Sequence, residues 1–215
     1  MKNNLDNIKF TSQYGQDRYC YNQFFKNKTT GTFLEIGCID GIKFSNTFAF
    51  EQLGWSGLCV EPSENNFKHL VKNRNCICEK YAVGVESGKK VQFLDIYGYG
   101  EGLSGVIEKY DTRHVSRIQR EIQNAANSGH SVIEVETINI NKLLTKHNLH
   151  NIDICSIDTE GGEEDIVESI DFNINKIDIL IVENNYKTNR VKNYLESVSY
   201  AFICSMGSDD IYKFT

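Results

Sequence analysis

Short apolar runs of strand length recur along this chain, and most of them end on a glycine or a carboxylate. The clearest are residues 32–37, 57–61, 152–157 with Asp158 next, and 177–182 with Glu183 next. Runs so short and so evenly apolar suit strands covered on both faces, the condition of a parallel sheet between two helical layers. Helix start and stop signals lie between them. Residues 45–54 read as a helix with Ser45 or Asn46 as cap and Gly54 as stop, and residues 63–73 as one N-capped by Ser63. Further helices are expected over 162–170 and 188–198. With a third strand over 76–83, the first half alternates strand and helix in the order of a doubly wound α/β sheet.

The middle of the chain departs from that alternation. Residues 90–96 read as a strand, 97–102 as a glycine-rich turn, and 109–127 as a helix with a stripe of Val115, Ile118, Ile122 and Ala125–Ala126. A strand over 131–138 and a short helix over 141–147 follow, and residues 200–204 and 210–214 suit a hairpin around 205–209. The expected fold is α/β: a mostly parallel seven-stranded sheet with a C-terminal antiparallel hairpin, and extra strands and a helix inserted after the third strand. That is the methyltransferase variant of the Rossmann-like architecture. One proline, Pro62, and no Pro/Ser/Gly-rich linker in 215 residues lead us to expect one domain over 1–215.

Composition narrows the function classes. A net charge of −6 disfavours a general nucleic-acid-binding surface. No apolar stretch approaches the ~18 residues of a membrane span, and the polar, Asn-rich start is not a secretory signal. The seven cysteines form no C-x-x-C pair, and Cys76-x-Cys78 has no second ligand pair at zinc-finger spacing. They read as buried free thiols acting as small hydrophobes, which implies a reducing compartment and a cytoplasmic location.

Ligands of open α/β sheets bind at the carboxyl ends of the strands. After the first strand stands Glu35-Ile-Gly37-Cys-Ile-Asp40-Gly41. Gly37 and Gly41 permit sharp turns and close approach of a ligand. A dinucleotide fingerprint would need G-x-G-x-x-G, but Ile39 holds the place of its second glycine. Asp40 would repel a pyrophosphate and suits a ligand carrying ammonium or sulfonium, such as S-adenosylmethionine. Glu61, about 20 residues beyond the turn, is placed to accept hydrogen bonds from ribose hydroxyls. Ala82-Val83 could flank an adenine ring. Asp158 and Glu160 project into the cleft mouth, whereas Glu164 and Asp165 suit the first turn of a helix; Glu163 fits either role. Asp158, Glu183 and Asn184 offer oxygen ligands for one hard cation such as Mg²⁺ or Mn²⁺; hydrogen-bonded carboxylates without metal are the simpler reading. Arg113, His114, Arg117 and Arg120 read as a solvated basic face, and the five histidines as surface residues.

In several segments the chain resembles the FkbM-type S-adenosylmethionine-dependent O-methyltransferases. They are Ser12-Gln-Tyr-Gly-Gln-Asp17, Phe33-Leu-Glu-Ile-Gly-Cys-Ile-Asp-Gly41 with Ser45-Asn-Thr47, Val60-Glu-Pro62, Ala82-Val-Gly84, Val135-Glu-Thr-Ile138 and Ile157-Asp-Thr-Glu-Gly-Gly-Glu163. The resemblance implies methyl transfer to a hydroxyl, often of a sugar, glycan or polyketide. By position, Glu35, Gly37, Asp40, Gly41, Asn46, Glu61, Pro62, Ala82 and Val83 would hold the cofactor. Asp158 and Glu160 would face the reacting centre. Residues 1–30 would cap the site, with Gln13, Gly15, Gln16 and Asp17 folded over it and Glu183 beside the acceptor. The family often shows a histidine soon after the fifth strand; here Glu183-Asn-Asn-Tyr186 stands instead, which disfavours a histidine base. The resulting expectation is O-methylation of a carbohydrate hydroxyl, with a nicotinamide-dependent oxidoreductase or a non-catalytic cofactor-binding module as alternatives.

Overall fold

The computed structural model describes residues 7–124 and 128–215. The chain enters through α1 (Gln16–Cys20), which continues as one π turn over Tyr21–Phe25. It then forms β1 (Thr32–Ile36), α2 (Phe48–Gln52), β2 (Ser56–Val60), α3 (Glu64–Asn73), β3 (Ile77–Glu79) and β4 (Ala82–Gly84). Next come β5 (Lys90–Tyr97), β6 (Gly105–Val106), α4 (Thr112–Asn124), β7 (Gly129–Asn139) and α5 (Ile140–Lys146). The last part is β8 (Asn151–Ile157), α6 (Glu163–Ser169), β9 (Lys176–Glu183), α7 (Arg190–Ser197), β10 (Tyr200–Met206) and β11 (Asp209–Phe214).

Seven strands form the main sheet in the order β3-β2-β1-β8-β9-β11-β10. The five from β3 to β9 run parallel, and β11 pairs antiparallel with both β9 and β10. The expected parallel sheet with a terminal hairpin is what the chain builds. Side chains alternate across it, as strand geometry requires. Leu34, Leu58, Cys155 and Leu180 pack on one face against Leu144, Val167 and Leu195 of the helices. Phe33, Cys59, Ile154 and Ile179 pack on the other against Phe25, Phe50, Trp55 and Leu70.

The inserted segment forms a second sheet, β4-β7-β5-β6, and here the expected third strand divides. Residues 77–79 stay at the edge of the main sheet against β2, while residues 82–84 join β7 in the second sheet. The ladder with β2 stops because β2 ends at Val60 and is followed closely by Pro62, which has no amide to donate.

Three helices are shorter than expected. Ser45–Thr47 stay outside α2, because Ser45 Oγ accepts from the amides of Thr47 and Phe48 while the Asn46 amide goes to Glu35. Ser63 caps α3 as expected, accepting from the Asn66 amide. α7 begins only at Arg190. α4 starts at Thr112 after a 3₁₀ turn; its expected continuation over 125–127, like residues 1–6, lies outside the described residues. The hairpin turn is tighter than expected, since Met206 already pairs with Asp209. No helix among the described residues is long and apolar enough to cross a membrane.

Candidate active site

The site begins where β1 ends. The Gly37 amide donates to Val60 O, and Asp158 N donates to Ile36 O, which locks three strand ends together. Gly37 has φ +83°, and a Cβ there would lie 1.7 Å from the Asp158 carbonyl oxygen. Only glycine fits.

The loop that follows is held from beneath. Glu35 accepts from Ser45 Oγ (2.7 Å), the Asn46 amide (2.6 Å) and Thr47 Oγ1 (2.8 Å), and pairs with Arg74 Nη1 at 3.1 Å. Arg74, its side chain fully buried, also donates to Gly41 O and Thr47 Oγ1 and pairs with Glu51. Asp40 accepts from the amides of Ile42 and Lys43. Gly41 leaves space filled by Leu70 and Arg74. Glu35, Asp40 and Gly41 shape the loop and are not among the residues that line the two cavities above it.

Two cavities meet above this loop. One, of about 260 Å³, lies between the strand ends and the second sheet and is lined by Gly37, Glu61, Pro62, Ala82, Val83 and Phe93. The other, of about 290 Å³, lies under the entry segment and is lined by Gln13, Gln16, Asn46, Arg117, Glu183 and Asp209. Gly37, Ile39, Gly102, Asp158 and Glu160 line both. In the entry segment, Gly15 (φ +86°) makes the turn into α1, and the buried Asp17 accepts from the Thr11 and Ser12 amides. Neither lines the cavity, in contrast to Gln13 and Gln16.

Glu61 is buried and accepts from the Ile39 and Ser63 amides, both at 2.9 Å. Burial pushes its carboxyl up to about 7, against those hydrogen bonds, which hold it down. Asn46 is 5% exposed; its Nδ2 donates to Ser156 Oγ at 2.9 Å, and its Oδ1 has no hydrogen-bond partner among the described residues. This buried oxygen without a partner belongs to a residue that lines the second cavity.

Where the cavities meet, carboxylate oxygens of Asp158, Glu160 and Glu183 lie within 4.8 Å of one another. Asn185 Nδ2 donates to Glu183 Oε1 (2.7 Å) and Glu160 Oε2 (3.2 Å). Burial, reinforced by the neighbouring negative charges, pushes all three well above the usual carboxylate range. Asn184 turns away to Thr188 O and Asp210, so the expected Asp158–Glu183–Asn184 ligand set does not assemble. Glu163 bends back to accept from the Thr159 and Gly161 amides and holds that turn.

The sequence reading missed His114. It is 2% exposed, with Nδ1 3.3 Å from Glu160 Oε2 and Nε2 3.2 Å from Leu103 O. A carbonyl only accepts, so the network assigns the proton to Nε2 and turns the Nδ1 lone pair toward Glu160. Desolvation lowers the His114 pKa, and Glu160 itself holds φ +59°, an uncommon conformation for a residue with a Cβ. One signal was available: Tyr110, His114, Ile118 and Ile122 recur every fourth residue, so His114 sits on the buried stripe. Val115, expected there, is exposed. Arg113 stacks on Tyr186, with its guanidinium 3.8 Å from the ring centre.

A seven-stranded sheet of this order, with its ligand cleft above the first two strand ends, defines the class I methyltransferase fold. The chain belongs to the FkbM methyltransferase family: the Methyltransferase FkbM domain model matches residues 35–206. That membership sets aside the nicotinamide reading. No curated protein matches the chain significantly. Among solved structures, TrmK of M. capricolum, in complex with its cofactor product S-adenosyl-homocysteine, matches at 10% identity and TM-score 0.42. The match covers 92% of this chain but only 66% of that one. The delta-N METTL16 methyltransferase domain matches at 13% identity and TM-score 0.43, over 93% of this chain and 80% of that one.

Proposed function

We propose that this chain, working as one domain, moves a methyl group from S-adenosylmethionine to a hydroxyl oxygen, with a sugar or glycan as the acceptor class. The observation that carries the reading is the cluster of Asp158, Glu160 and Glu183 carboxylates, within 4.8 Å of one another where the two cavities meet. The cofactor supplies an electrophilic methyl on a sulfonium. Glu61 would accept its ribose hydroxyls, Pro62, Ala82 and Val83 would flank its adenine, and the free Oδ1 of Asn46 would accept from its ammonium. Its positive charge suits a cleft rich in carboxylates.

The chain's own groups then divide the work. A hydroxyl is a weak nucleophile, so a base must take its proton as the new bond forms. Asp158, half-buried and open to both cavities, takes it. Glu160, fixed by His114 and Asn185, accepts a hydrogen bond from a neighbouring acceptor hydroxyl and sets the angle of approach. Gln13 and Gln16 close the cavity from the entry segment. Asn185 donates to Glu160 and Glu183, and His114 stands 3.3 Å from Glu160, so the cluster finds partners within the chain. Turnover is therefore expected to survive exhaustive chelation; its loss would restore a role for Mg²⁺ or Mn²⁺ at Asp158 and Glu183.

The test is incubation of purified protein with methyl-labelled S-adenosylmethionine and a panel of glycans, followed by mass spectrometry. Label in an ether-linked methyl supports the reading. Label on nitrogen or carbon overturns the choice of hydroxyl, and cofactor binding without any transfer favours a non-catalytic module.

A further inference from the structure

Beneath the loop that lines the cofactor cleft, four thiols run in file: Cys38 in the loop, Cys59 in β2, and Cys76 and Cys78 at the edge strand β3. Cys38 Sγ donates to Glu35 O, and Cys76 Sγ lies 3.5 Å from Cys59 Sγ. A disulfide needs a separation of about 2.05 Å, a closure that side-chain rotation and a small shift of a three-residue edge strand can supply. Cys59 is fully buried, whereas Cys76 is half-buried and within reach of a small oxidant. The neighbouring Cys59 and Cys78 thiols, and then the Arg74 charge, hold Cys76 below the usual thiol range, against the burial that raises it.

The position of this pair matters as much as its reactivity. The Cys76 amide donates to Glu51, Glu51 pairs with Arg74, and Arg74 in turn bonds Glu35, Gly41 O, Ser45 Oγ and Thr47 Oγ1. One guanidinium thus connects the thiol file to the whole loop over residues 37–47.

We propose that Cys59 and Cys76 are a peroxide-sensitive pair whose disulfide loosens the cofactor loop through Arg74. The Cys76 thiolate attacks a hydroperoxide: an S–O bond forms, the O–O bond breaks, and the distal oxygen leaves as hydroxide or alkoxide. The Cys59 sulfur then attacks the sulfenic sulfur: the S–S bond forms, the S–O bond breaks, and water leaves with the Cys59 proton. The two thiols give up two electrons to the peroxide, and a dithiol returns them. The disulfide removes the thiolate charge beside Arg74 and draws the edge strand toward β2, so the strut under the loop is displaced.

The experiment treats the full chain with equimolar hydrogen peroxide at neutral pH, maps disulfides by mass spectrometry, and follows amide hydrogen exchange. A Cys59–Cys76 cross-link reversed by dithiothreitol is expected, with exchange over residues 37–47 rising several-fold and S-adenosylhomocysteine affinity falling about tenfold. Cys76→Ser should leave the loop protected before and after peroxide; if it does not fold, Cys59→Ala serves the same purpose. A different cross-link, oxidation of Cys76 without one, or a cross-link that leaves loop exchange unchanged overturns the proposal. Reduced protein that binds no S-adenosylhomocysteine counts against the methyl-transfer reading alone, since the disulfide map and loop exchange are measured without ligand.

Discussion

Glu61 shows how one buried carboxyl couples ligand binding to pH. Its folded value near 7 means that below neutrality it is protonated, a weaker acceptor for ligand hydroxyls. Affinity for S-adenosylhomocysteine is therefore expected to rise as pH increases from 5 to about 7, then level off. Glu61→Gln should remove that slope and weaken binding about ten- to a hundredfold, from the loss of hydrogen bonds to a charged acceptor worth ~1.5–3 kcal/mol. Calorimetry across this range checks both; a wild-type affinity that ignores pH would count against Glu61 as a ligand contact. Asp158 makes the opposite demand. Asp158→Asn should leave cofactor affinity roughly intact while lowering turnover by about 10²–10⁴, the usual size of general-base catalysis. Near-normal turnover would pass the role of base to Glu160 or Glu183, and loss of cofactor binding would make Asp158 a cofactor contact.

At the scale of single elements, the β1 end is the most intolerant place in the chain. Gly37→Ala would drive a Cβ into the Asp158 carbonyl at 1.7 Å while also opposing φ +83°. A loss of about 2–5 kcal/mol in a denaturant titration is expected from the combined clash and backbone strain. Gly84→Ala, with nothing within 4 Å of the new Cβ and no positive φ, should change stability by less than about 1 kcal/mol. The strands of the main sheet were legible because each is a closed apolar run: residues 152–157 and 177–182 fall within β8 and β9. Helix α2 was overdrawn because Ser45 caps it from outside, a role decided by Glu35 ten residues earlier. The break between β3 and β4 depends on which partner strand remains in reach, and no local pattern records that. Likewise, the partners of Glu35 and Asp40 (Ser45, Thr47, Arg74 and nearby amides) are set by the fold and by no local pattern. His114 was hidden by arginines on either side, although its spacing from Ile118 and Ile122 placed it on the buried stripe.

For the whole molecule, the carboxyls of Glu61, Asp158, Glu160 and Glu183 all lie above their ordinary values. Where a folded acid has a raised pKa, the native state holds more protons than the unfolded state, so stability falls as pH rises. For Glu61 that window runs from 4.5 to about 7, and this residue alone accounts for about 3 kcal/mol across it. The ligand-free protein should therefore melt at a lower temperature at pH 7.5 than at pH 5.5, as calorimetry would show. A ligand bearing a sulfonium or ammonium should narrow the difference by compensating the ionised cluster. A melting temperature that climbs over this range would show that the carboxyls are ionised in the folded protein well below neutrality.

The second sheet has a further consequence for how such a protein can diversify. Its first strand, β4, and its last, β7, lie side by side, with Ala82 beside Thr137 and Gly84 beside Asn139. Everything between them leaves the main sheet and returns to it at one spot, like a cassette on a single socket. Of the groups we assign to cofactor binding, Glu61 and Asn46 stand outside that cassette, whereas Leu103 and Arg117, which line only the second cavity, stand inside it. A lineage could therefore lengthen, shorten or exchange parts of the cassette to reshape that second cavity while leaving Glu61 and Asn46 in place.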